Sequence, residues 1–390
     1  MRPTLASVTR NANLRELAAL FLRLGVTAFG GPAAHIAMMR DEVVSRRHWM
    51  TDVEFLDLLA ATNLIPGPNS TEMAIHLGYK RAGLPGLLLA GACFILPASL
   101  IVGTIAWGYT QYGETPQAAW LMYGVSPVII AIILVAVWKL AQSSITGVLP
   151  GVICAVTAAL SLWGVNELAL LAGGGGVSLV ASVGGRSVAV WVLGGVGISA
   201  SVAGVAAMAA SNATVPVTLT RLTLFFLKVG SVLFGSGYVL LAFLRADLTT
   251  RWGWLTEQQL IDAVTVGQVT PGPVFTTATF IGFLLGGWPG AVLATLAIFA
   301  PGFVFVALTQ PIIPKLRASR VTGALLDGVV ATSLGLMAAV SWHLGRSALV
   351  DIPTILLFAG AGAALVGWQL NSTWIIGAGA AVGWLIKAAQ

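Results

Sequence analysis

Runs of about 20 apolar residues recur along this chain, and they constrain its fold more than any other feature. Only 9% of the residues are charged and 57% are hydrophobic, whereas soluble domains carry about 25% charged residues. Stretches such as 84–107 and 128–138 are apolar on every face rather than alternating, which favours helices over the strands of a membrane barrel. The sequence therefore predicts an all-α polytopic membrane protein and excludes a soluble one.

The net charge of +6 does not indicate a nucleic-acid partner. Lys and Arg lie in short loops beside the apolar runs, as the positive-inside bias of membrane proteins produces. The two cysteines, Cys93 and Cys154, lie in apolar stretches, and no group of His and Cys has the spacing of a metal site. We therefore expect the lipid bilayer as the partner of this chain, with no nucleic acid, no metal and no cofactor.

The chain contains two copies of one segment. At an offset of 205 residues, 21–71 aligns with 226–276, with 15 identities in 51 positions. The identities include the Pro-Gly-Pro triplets that begin at Pro66 and Pro271. One residue is then lost, and the match continues at an offset of 204 as far as Trp342. The duplication therefore runs nearly the whole length.

The duplication defines the domain organisation. We expect a first membrane repeat at 1–170, a connection rich in Gly, Ser and Ala with room for an extra helix at 171–217, and a second repeat at 218–390. The loop with Lys80 and Arg81 is basic only in the first repeat, and the next loop is basic only in the second. Because basic loops face the cytoplasm, this pattern favours inverted-topology repeats, although another loop pair is basic in both halves.

Each repeat interrupts its first two apolar segments with helix-breaking residues. The breaks are 29–32 and 66–71 in the first repeat and 234–237 and 270–273 in the second. Because proline lacks a backbone donor and clashes with the preceding turn, a new helix should begin near Pro68. Breaks in corresponding positions of two halves indicate the substrate site of a transporter. We therefore expect broken half-helices near the membrane midplane.

The start of such a half-helix suits an oxyanion, because it presents N–H groups and a partial positive charge. Hydroxyl and amide side chains on the same turns add donors. The candidate substrate-binding residues at the breaks are Gly30, Gly31, Asn63, Gly67, Asn69, Ser70, Thr71, Gly235, Ser236, Gln268, Gly272, Thr276 and Thr277. The alternative is that these are Pro-Gly kinks that only let helices pack closely, but four breaks in register favour a site.

Two pairs of segments are shared with a known family. The pairs are FLRLGVTAFGGP (21–32) with FLKVGSVLFGSG (226–237), and NLIPGP (63–68) with QVTPGP (268–273). They resemble the chromate ion transporter family in its long, two-domain form, over nearly the whole chain. The resemblance implies a carrier of the bacterial inner membrane that exports chromate, driven by the membrane gradient, and confers chromate resistance. Sulfate, a tetrahedral dianion of similar shape, is the competing substrate.

Charges inside the apolar segments need a reason, since each costs about 2.5 to 3.5 kcal/mol at the bilayer centre. Glu72, His76 and Lys80 are spaced four apart and share one helix face. Their counterparts in the second repeat are Thr277, Ile281 and Leu285. Glu72 and His76 are candidates for proton coupling, because an ionised Glu72 would repel an anion. The alternative is that Glu72 complements a helix N-terminus while Lys80 reaches the interface.

Four more charged positions recur in both repeats. Arg40 and Arg245 would neutralise part of a dianion, and Asp57 and Asp262 are their candidate partners and further candidates for proton coupling. The alternative is that both arginines anchor helix ends at the membrane interface. His35 is expected to be a packed core histidine rather than a ligand.

These features decide between function classes. The only feature of an intramembrane hydrolase is Ser236 between two glycines, and the first repeat lacks that serine, so no enzyme is predicted. A fixed channel suits inverted repeats with broken helices less well than an alternating-access carrier. We therefore predict a secondary active transporter for chromate. The alternative is a carrier for sulfate or another small anion, and a homodimer is compatible with the sequence.

Overall fold

The computed structural model describes residues 5–29, 31–62, 65–113, 115–145, 147–184, 216–234, 239–309, 320–368, 370 and 372–389. These residues form helices and no β-strand, which confirms the all-α prediction. The helices of the first repeat and the connection are α1 (Leu5–Thr27), α2 (Gly31–Arg40), α3 (Asp52–Thr62), α4 (Asn69–Tyr112), α5 (Pro116–Ser144), α6 (Val148–Leu162) and α7 (Glu167–Gly184). Those of the second repeat are α8 (Leu219–Val232), α9 (Leu240–Phe243), α10 (Glu257–Val269), α11 (Thr277–Thr309), α12 (Arg320–Ala348), α13 (Ile352–Gly367) and α14 (Ser372–Ala388).

The duplication is visible in local backbone geometry. α2 continues into a π-helical turn at Asp41–Arg46, and α9 continues into one at Leu244–Arg251. Just after these turns, His48 and its counterpart Gly253 both have positive φ angles, of 50° and 62°. The two repeats therefore fold alike even where the side chains differ.

The helices α4 and α11 are helical hairpins rather than straight spans. Backbone angles leave the helical range at Gly83 (φ 63°) and Gly287 (φ 60°), where glycine tolerates a left-handed φ. Residues eight apart in a continuous helix are separated by about 12 Å. A methyl group placed on Gly78 would nevertheless overlap the carbonyl oxygen of Gly86. The chain of α4 therefore reverses at Gly83, and its two arms, 69–81 and 84–112, lie antiparallel.

The hairpin of α11 repeats this contact and corrects the sequence alignment. Gly282 contacts Gly290 as Gly78 contacts Gly86. Gly282 and Gly290 each lie 204 residues after their counterparts, which is the shorter of the two offsets. The lost residue therefore lies before Gly78, so the counterpart of Lys80 is Leu284 and not Leu285. A tight 3₁₀ turn at Val274–Thr276 starts the shorter arm.

The described chain divides into two compact units that do not coincide with the sequence repeats. The first unit consists of 1–118, 217–237 and 263–313, and the second of 119–216, 238–262 and 314–390. Each unit takes segments from both repeats. The breaks around the two Pro-Gly-Pro triplets belong to the first unit.

Close helix contacts hold the first unit together. α1 packs against α4, α8 against α11, and α4 against α11. Gly25 lies against the carbonyl groups of Cys93 and Phe94, and its counterpart Gly230 lies against the carbonyl of Ile298. Small residues at these crossings let the backbones approach closely, as in other membrane helix pairs.

The second unit is built around α12, which packs against α6 and α7. Gly174 of α7 meets Gly328 of α12 at backbone distance. The glycine run 173–176, expected in a connection, therefore lies inside a helix and supplies a packing surface. The rest of the connection, 185–215, lies outside the described residues. Asp351 caps α13 and also accepts a hydrogen bond from the Tyr123 hydroxyl at 2.6 Å.

Among the described residues, four segments are long and apolar enough to cross a membrane. They are Asn69–Tyr112, Ala119–Gln142, Val274–Thr309 and Gly323–Ala348. Large apolar side chains such as Leu100 and Trp374 are exposed, at 64% and 79%. In a bilayer these side chains face lipid, so the chain is a multi-pass membrane protein.

Candidate functional site

Proline sets the start of the helix that follows each Pro-Gly-Pro triplet. α3 ends at Thr62, and α4 begins at Asn69 with Pro68 as its N-cap residue. In the second repeat Pro273 occupies the same position before the turn that begins at Val274. Since proline has no side-chain acceptor, neither helix start is capped by a side chain. Two helix starts with their partial positive charge therefore lie in one compact unit.

The two repeats are joined at these triplets by a reciprocal pair of hydrogen bonds. The Gly67 N–H donates to the Leu233 carbonyl at 2.7 Å, and the Gly272 N–H donates to the Ala28 carbonyl at 2.9 Å. The two donors are counterparts in the repeats, and so are the two acceptors. Reciprocal contacts of this kind are the mark of a two-fold relation. The N–H groups of Gly67 and Gly272 are thus occupied, so they join the repeats rather than donate to an anion as expected from the sequence.

His35 supports one of these two bonds. Its Nε2 donates to the Ala28 carbonyl at 3.0 Å, so this oxygen accepts from both His35 and Gly272. The ring is 1% exposed and stands edge-on to Phe94. The counterpart of His35 in the second repeat is the apolar Leu240. His35 is the packed core histidine expected from the sequence, and it stiffens one half of the junction only.

The hydroxyl groups beside the two helix starts are not equivalent. The hydroxyls of Thr276 and Thr277 donate to the carbonyls of Pro273 and Val274, at 2.9 and 2.8 Å. Thr71 is 1% exposed, and its hydroxyl makes no hydrogen bond with any residue the structure describes. The first repeat therefore presents an available hydroxyl donor, and the second uses its threonines to stabilise its own turn.

Three other predicted donors lie near these starts. Ser70 is buried and Asn69 half-buried in the first turn of α4. Gln268, at the end of α10, is 7% exposed, and its Nε2 has no hydrogen-bond partner within the described ranges. A buried donor without a partner is unfavourable, which makes Gln268 and Thr71 the clearest candidates to donate to a ligand.

Glu72 occupies a closed slot beneath the first triplet. Its side chain is 0% exposed, and neither carboxylate oxygen has a hydrogen-bond partner among the described residues. A methyl group on Gly67 would overlap its Oε1, and one on Gly302 would lie 3.7 Å from its Cγ. In the second repeat the slot beneath Gly272 contains the methyl group of Ala98, the counterpart of Gly302. The absence of a side chain at Gly302 thus makes room for the carboxylate.

A second buried glutamate shows how an ionised carboxylate is normally held. Glu42, with a side chain 8% exposed, contacts Arg23 at 2.6 Å and Arg46 and Arg47 at 3.2 Å each. Burial opposes ionisation of Glu42, but the hydrogen bonds from Arg23 and Arg47 outweigh it and hold the pKa of this carboxyl below its ordinary value. No such partner faces Glu72 in the described part of the chain. The helix-capping role considered for Glu72 therefore has no hydrogen bond to support it.

The two predicted arginines are held in ion pairs that sequence reasoning did not identify. Arg40 contacts Asp52 at 2.6 Å, and Arg245 contacts Glu257 at 2.8 Å. Asp52 and Glu257 are themselves counterparts in the two repeats. The partner expected for Arg245, Asp262, instead accepts a hydrogen bond from a glutamine on α10 at 2.8 Å. Arg40 is half-exposed and belongs to the first compact unit, whereas Arg245 belongs to the second.

The remaining candidates are placed as follows. His76 is fully buried one turn after Glu72 on α4, and Lys80 is half-exposed, 3.4 Å from Glu54. Gly31, with φ 78°, is the first residue of α2. Outside the described residues lie Gly30, Asn63, Gly235, Ser236 and the side chain of Asp57.

Sequence reasoning missed Gly302, Ala98 and the bond that His35 makes at the junction. Each of these residues differs from its counterpart in the other repeat, so a residue-by-residue comparison of the repeats would have flagged them. Many other positions differ as well. Their contacts distinguish these three: Ala98 lies against Gly272, Gly302 lies against the Glu72 side chain, and His35 shares the Ala28 carbonyl with Gly272.

Comparisons with known proteins agree with the duplication. A family model described as "Chromate transporter" matches residues 15–179 and 220–384, one segment in each repeat. The chain is 34% identical over 371 residues to the "Chromate transport protein" of Cupriavidus metallidurans, covering 95% of this chain and 92% of that protein. It is 34% identical over 385 residues to the "Chromate transport protein" of Pseudomonas aeruginosa, at 95% and 92% coverage.

A third relative is the "Probable chromate transport protein" of Synechococcus elongatus, 32% identical over 366 residues, which cover 92% of this chain and 91% of that protein. No solved structure is significantly similar to the chain. The comparisons concern the family of the chain. The arrangement of the helix breaks comes from the structure alone.

Proposed function

Because this chain belongs to the chromate transporter family, we propose that it is a secondary active transporter that exports chromate across the bacterial inner membrane and confers chromate resistance. The observation that carries the proposal is the reciprocal junction of the two Pro-Gly-Pro triplets. It brings two uncapped helix starts into one unit, with buried donors that lack a protein partner among the described residues.

Neutral donors and helix starts suit a tetrahedral oxyanion. Hydrogen bonds to a charged acceptor contribute about 1.5 to 3 kcal/mol each, so a few donors offset much of the lost hydration. Thr71 and Gln268 are the proposed side-chain donors, together with the N–H groups of the first turns of α4 and α11. Arg40 and Arg245 are proposed to anchor helix ends, since each already has a carboxylate partner.

The depth of the site follows from the length of the hairpin arms. The arm 69–81 is about 20 Å long, and the hydrocarbon core is about 30 Å thick. Its far end carries Lys80 and Arg81, which pair with Glu54 and Glu16 and suit a membrane interface. With that end at the interface, the start of α4 lies near the midplane. This placement, with the loop charges, supports inverted repeats around a central site.

Export is favoured electrically for a dianion. A membrane potential of 100 mV, negative inside, drives each negative charge outward with about 2.3 kcal/mol. Sulfate and chromate are both tetrahedral dianions and need the same hydrogen-bond donors, so charge and shape do not discriminate between them at this site. The selectivity between chromate and sulfate is therefore measured in the experiment that follows.

The test is radioactive chromate flux in everted vesicles, with and without excess sulfate and with the gradients collapsed. We expect accumulation that requires an energised membrane and that sulfate weakens by competition. Sulfate flux without chromate flux would keep the site and replace the substrate. The absence of both fluxes would contradict the proposed function.

Thr71→Val should weaken transport more than Thr276→Val. The first change removes a donor that has no partner among the described residues, and the loss of one hydrogen bond to an anion predicts a KM raised about tenfold or more. The second removes a hydroxyl that already donates to Pro273, so its main effect is a loss of about 1 kcal/mol in stability. Initial rates at several chromate concentrations, normalised to the amount of folded protein, measure the difference. Equal KM values for both variants would remove Thr71 from the site.

A further inference from the structure

We infer that this transporter carries one proton together with each anion, and that the proton travels on the Glu72 carboxyl group. The inference rests on the proposed function, because it assigns the ion that moves with the anion at the same site. It begins from geometry: a fully buried carboxyl in a slot between Gly67 and Gly302, with no described hydrogen-bond partner.

An ionised carboxylate and an anion exclude each other at this site. Glu72 lies in the first turn of α4, the same helix start that is proposed to bind the oxyanion. Two negative charges within one helix turn repel strongly where water is absent. The anion therefore binds when Glu72 carries its proton, and by linkage the proton binds more tightly when the anion is present. Proton and anion consequently cross in the same direction.

The stoichiometry of one proton per anion follows from the asymmetry of the two repeats. The corresponding slot in the second repeat is filled by the methyl group of Ala98, beneath Gly272. The segment 263–309, which supplies the second triplet and all of α11, contains no Asp, Glu, Lys, Arg or His. One slot in the pair is thus built for a titratable group, although both triplets share the same backbone.

Most of the titratable groups on the elements around Glu72 are paired with other residues. On α4 itself His76 follows one turn later and is buried, and Lys80 pairs with Glu54 of α3. The described pairs on α1, α2 and α3 are Glu16 with Arg81, Arg23 with Glu42, His35 with the Ala28 carbonyl, and Arg40 with Asp52. Arg15 of α1 is exposed. Glu72 is therefore the acid that is both buried and unpaired among these described side chains.

A single proton changes the net charge that moves. A dianion that moves with one proton carries one net negative charge, and a dianion that moves alone carries two. The potential at which flux reverses distinguishes the two cases, since a tenfold anion gradient balances about 59 mV for one charge and about 30 mV for two.

The experiment uses the purified full chain in proteoliposomes, with radioactive sulfate or, at alkaline pH, chromate as the probe, so that the anion itself carries no proton. Potassium and valinomycin set the potential, and a lumenal pH indicator follows protons. With a tenfold anion gradient and equal pH, we expect the flux to reverse at about 59 mV. A tenfold proton gradient should shift this potential by about 59 mV, and the indicator should report one proton per anion. A reversal potential of about 30 mV that does not change with the proton gradient would overturn the inference and leave the carrier function standing. No flux of either anion would overturn the proposed function itself.

Three variants assign the proton to Glu72. In Glu72→Gln we expect residual flux that reverses near about 30 mV and no longer depends on the proton gradient. Glu72→Asp retains the acid and should retain the pH shift, which also covers the case in which Glu72→Gln fails to fold. Glu54→Gln removes a half-exposed acid and should leave one proton per anion. Coupling that persists in Glu72→Gln but disappears in His76→Gln would assign the proton to His76 and overturn the inference.

Discussion

Replacing Gly67 by alanine reduces anion transport by more than tenfold, and the loss comes from geometry rather than from a lost donor. Gly67 has a φ of 141°, a region that costs a residue with a side chain about 1 to 3 kcal/mol. The added methyl group would also overlap the carboxyl group of Glu72, which is fully buried. Relief displaces either the Glu72 carboxyl group or the triplet, and movement of the triplet breaks the bond from the Gly67 N–H to Leu233 that joins the repeats. Vesicle flux and thermal unfolding of the same preparation measure the effect.

Two comparisons separate the causes of that loss. Gly67→Ala combined with Glu72→Ala removes the overlap but keeps the backbone strain, so it should regain part of the stability and none of the proton coupling. Gly360→Ala adds a methyl group within a helix where nothing lies within 4 Å, and it should leave flux unchanged and stability equal or slightly higher. Wild-type flux in Gly67→Ala would show that the triplet geometry is not needed for transport.

The helix breaks were predictable from the sequence because proline acts locally. Pro68 and Pro273 fix where α4 and the turn before α11 begin, whatever surrounds them. The duplication was predictable for a related reason, since identical residues at one offset need no three-dimensional information. All-helical membrane architecture follows from long apolar runs that do not alternate with polar residues, because only helices and closed barrels satisfy their backbone groups in lipid.

The partners of those breaks were not predictable. The bond from Gly67 to Leu233 joins residues that are far apart in sequence, and no local pattern encodes it. The same holds for the pairing of Arg245 with Glu257, because Asp247 is nearer to Arg245 in sequence and Asp262 was an equally plausible partner. The unpaired state of Glu72 is a property of its surroundings, because its slot is opened by Gly302, which belongs to the other repeat.

The chain reversals in the two hairpins were not predictable from either segment by itself. Gly83 stands in an apolar run that reads as one long helix, and glycine is common within membrane helices. The reversal depends on Gly78 and Gly86 meeting at backbone distance, which requires small residues on both arms at once. The pattern Gly78, Gly83 and Gly86 recurs as Gly282, Gly287 and Gly290, so the repeat comparison holds the signal that a single segment lacks.

Gly78→Ala should therefore be among the most destabilising single methyl groups in the first hairpin. The new group would overlap the carbonyl oxygen of Gly86, which is backbone and cannot rotate away, and it would also lie 2.6 Å from the methyl group of Ala90. The arms must separate, which removes the close packing that holds 69–81 against 84–112. Overpacking a tight core site costs about 1 to 3 kcal/mol and often more where backbone is involved. We expect a sharply lowered melting temperature and little folded protein in the membrane.

A matched set of glycines tests whether the contact, and not glycine content, is responsible. Gly83→Ala introduces only the strain of a backbone conformation that favours glycine, because nothing lies within 4 Å of the added methyl group, so its cost should be about 1 to 3 kcal/mol. Gly282→Ala repeats the Gly78 clash in the second hairpin and should be comparably severe. The expected order of melting temperatures is Gly360→Ala highest, Gly83→Ala intermediate, and Gly78→Ala and Gly282→Ala lowest. If Gly78→Ala melted above Gly83→Ala, the two arms of α4 would not be packed at their glycines, and the depth assigned to the start of α4 would have no support.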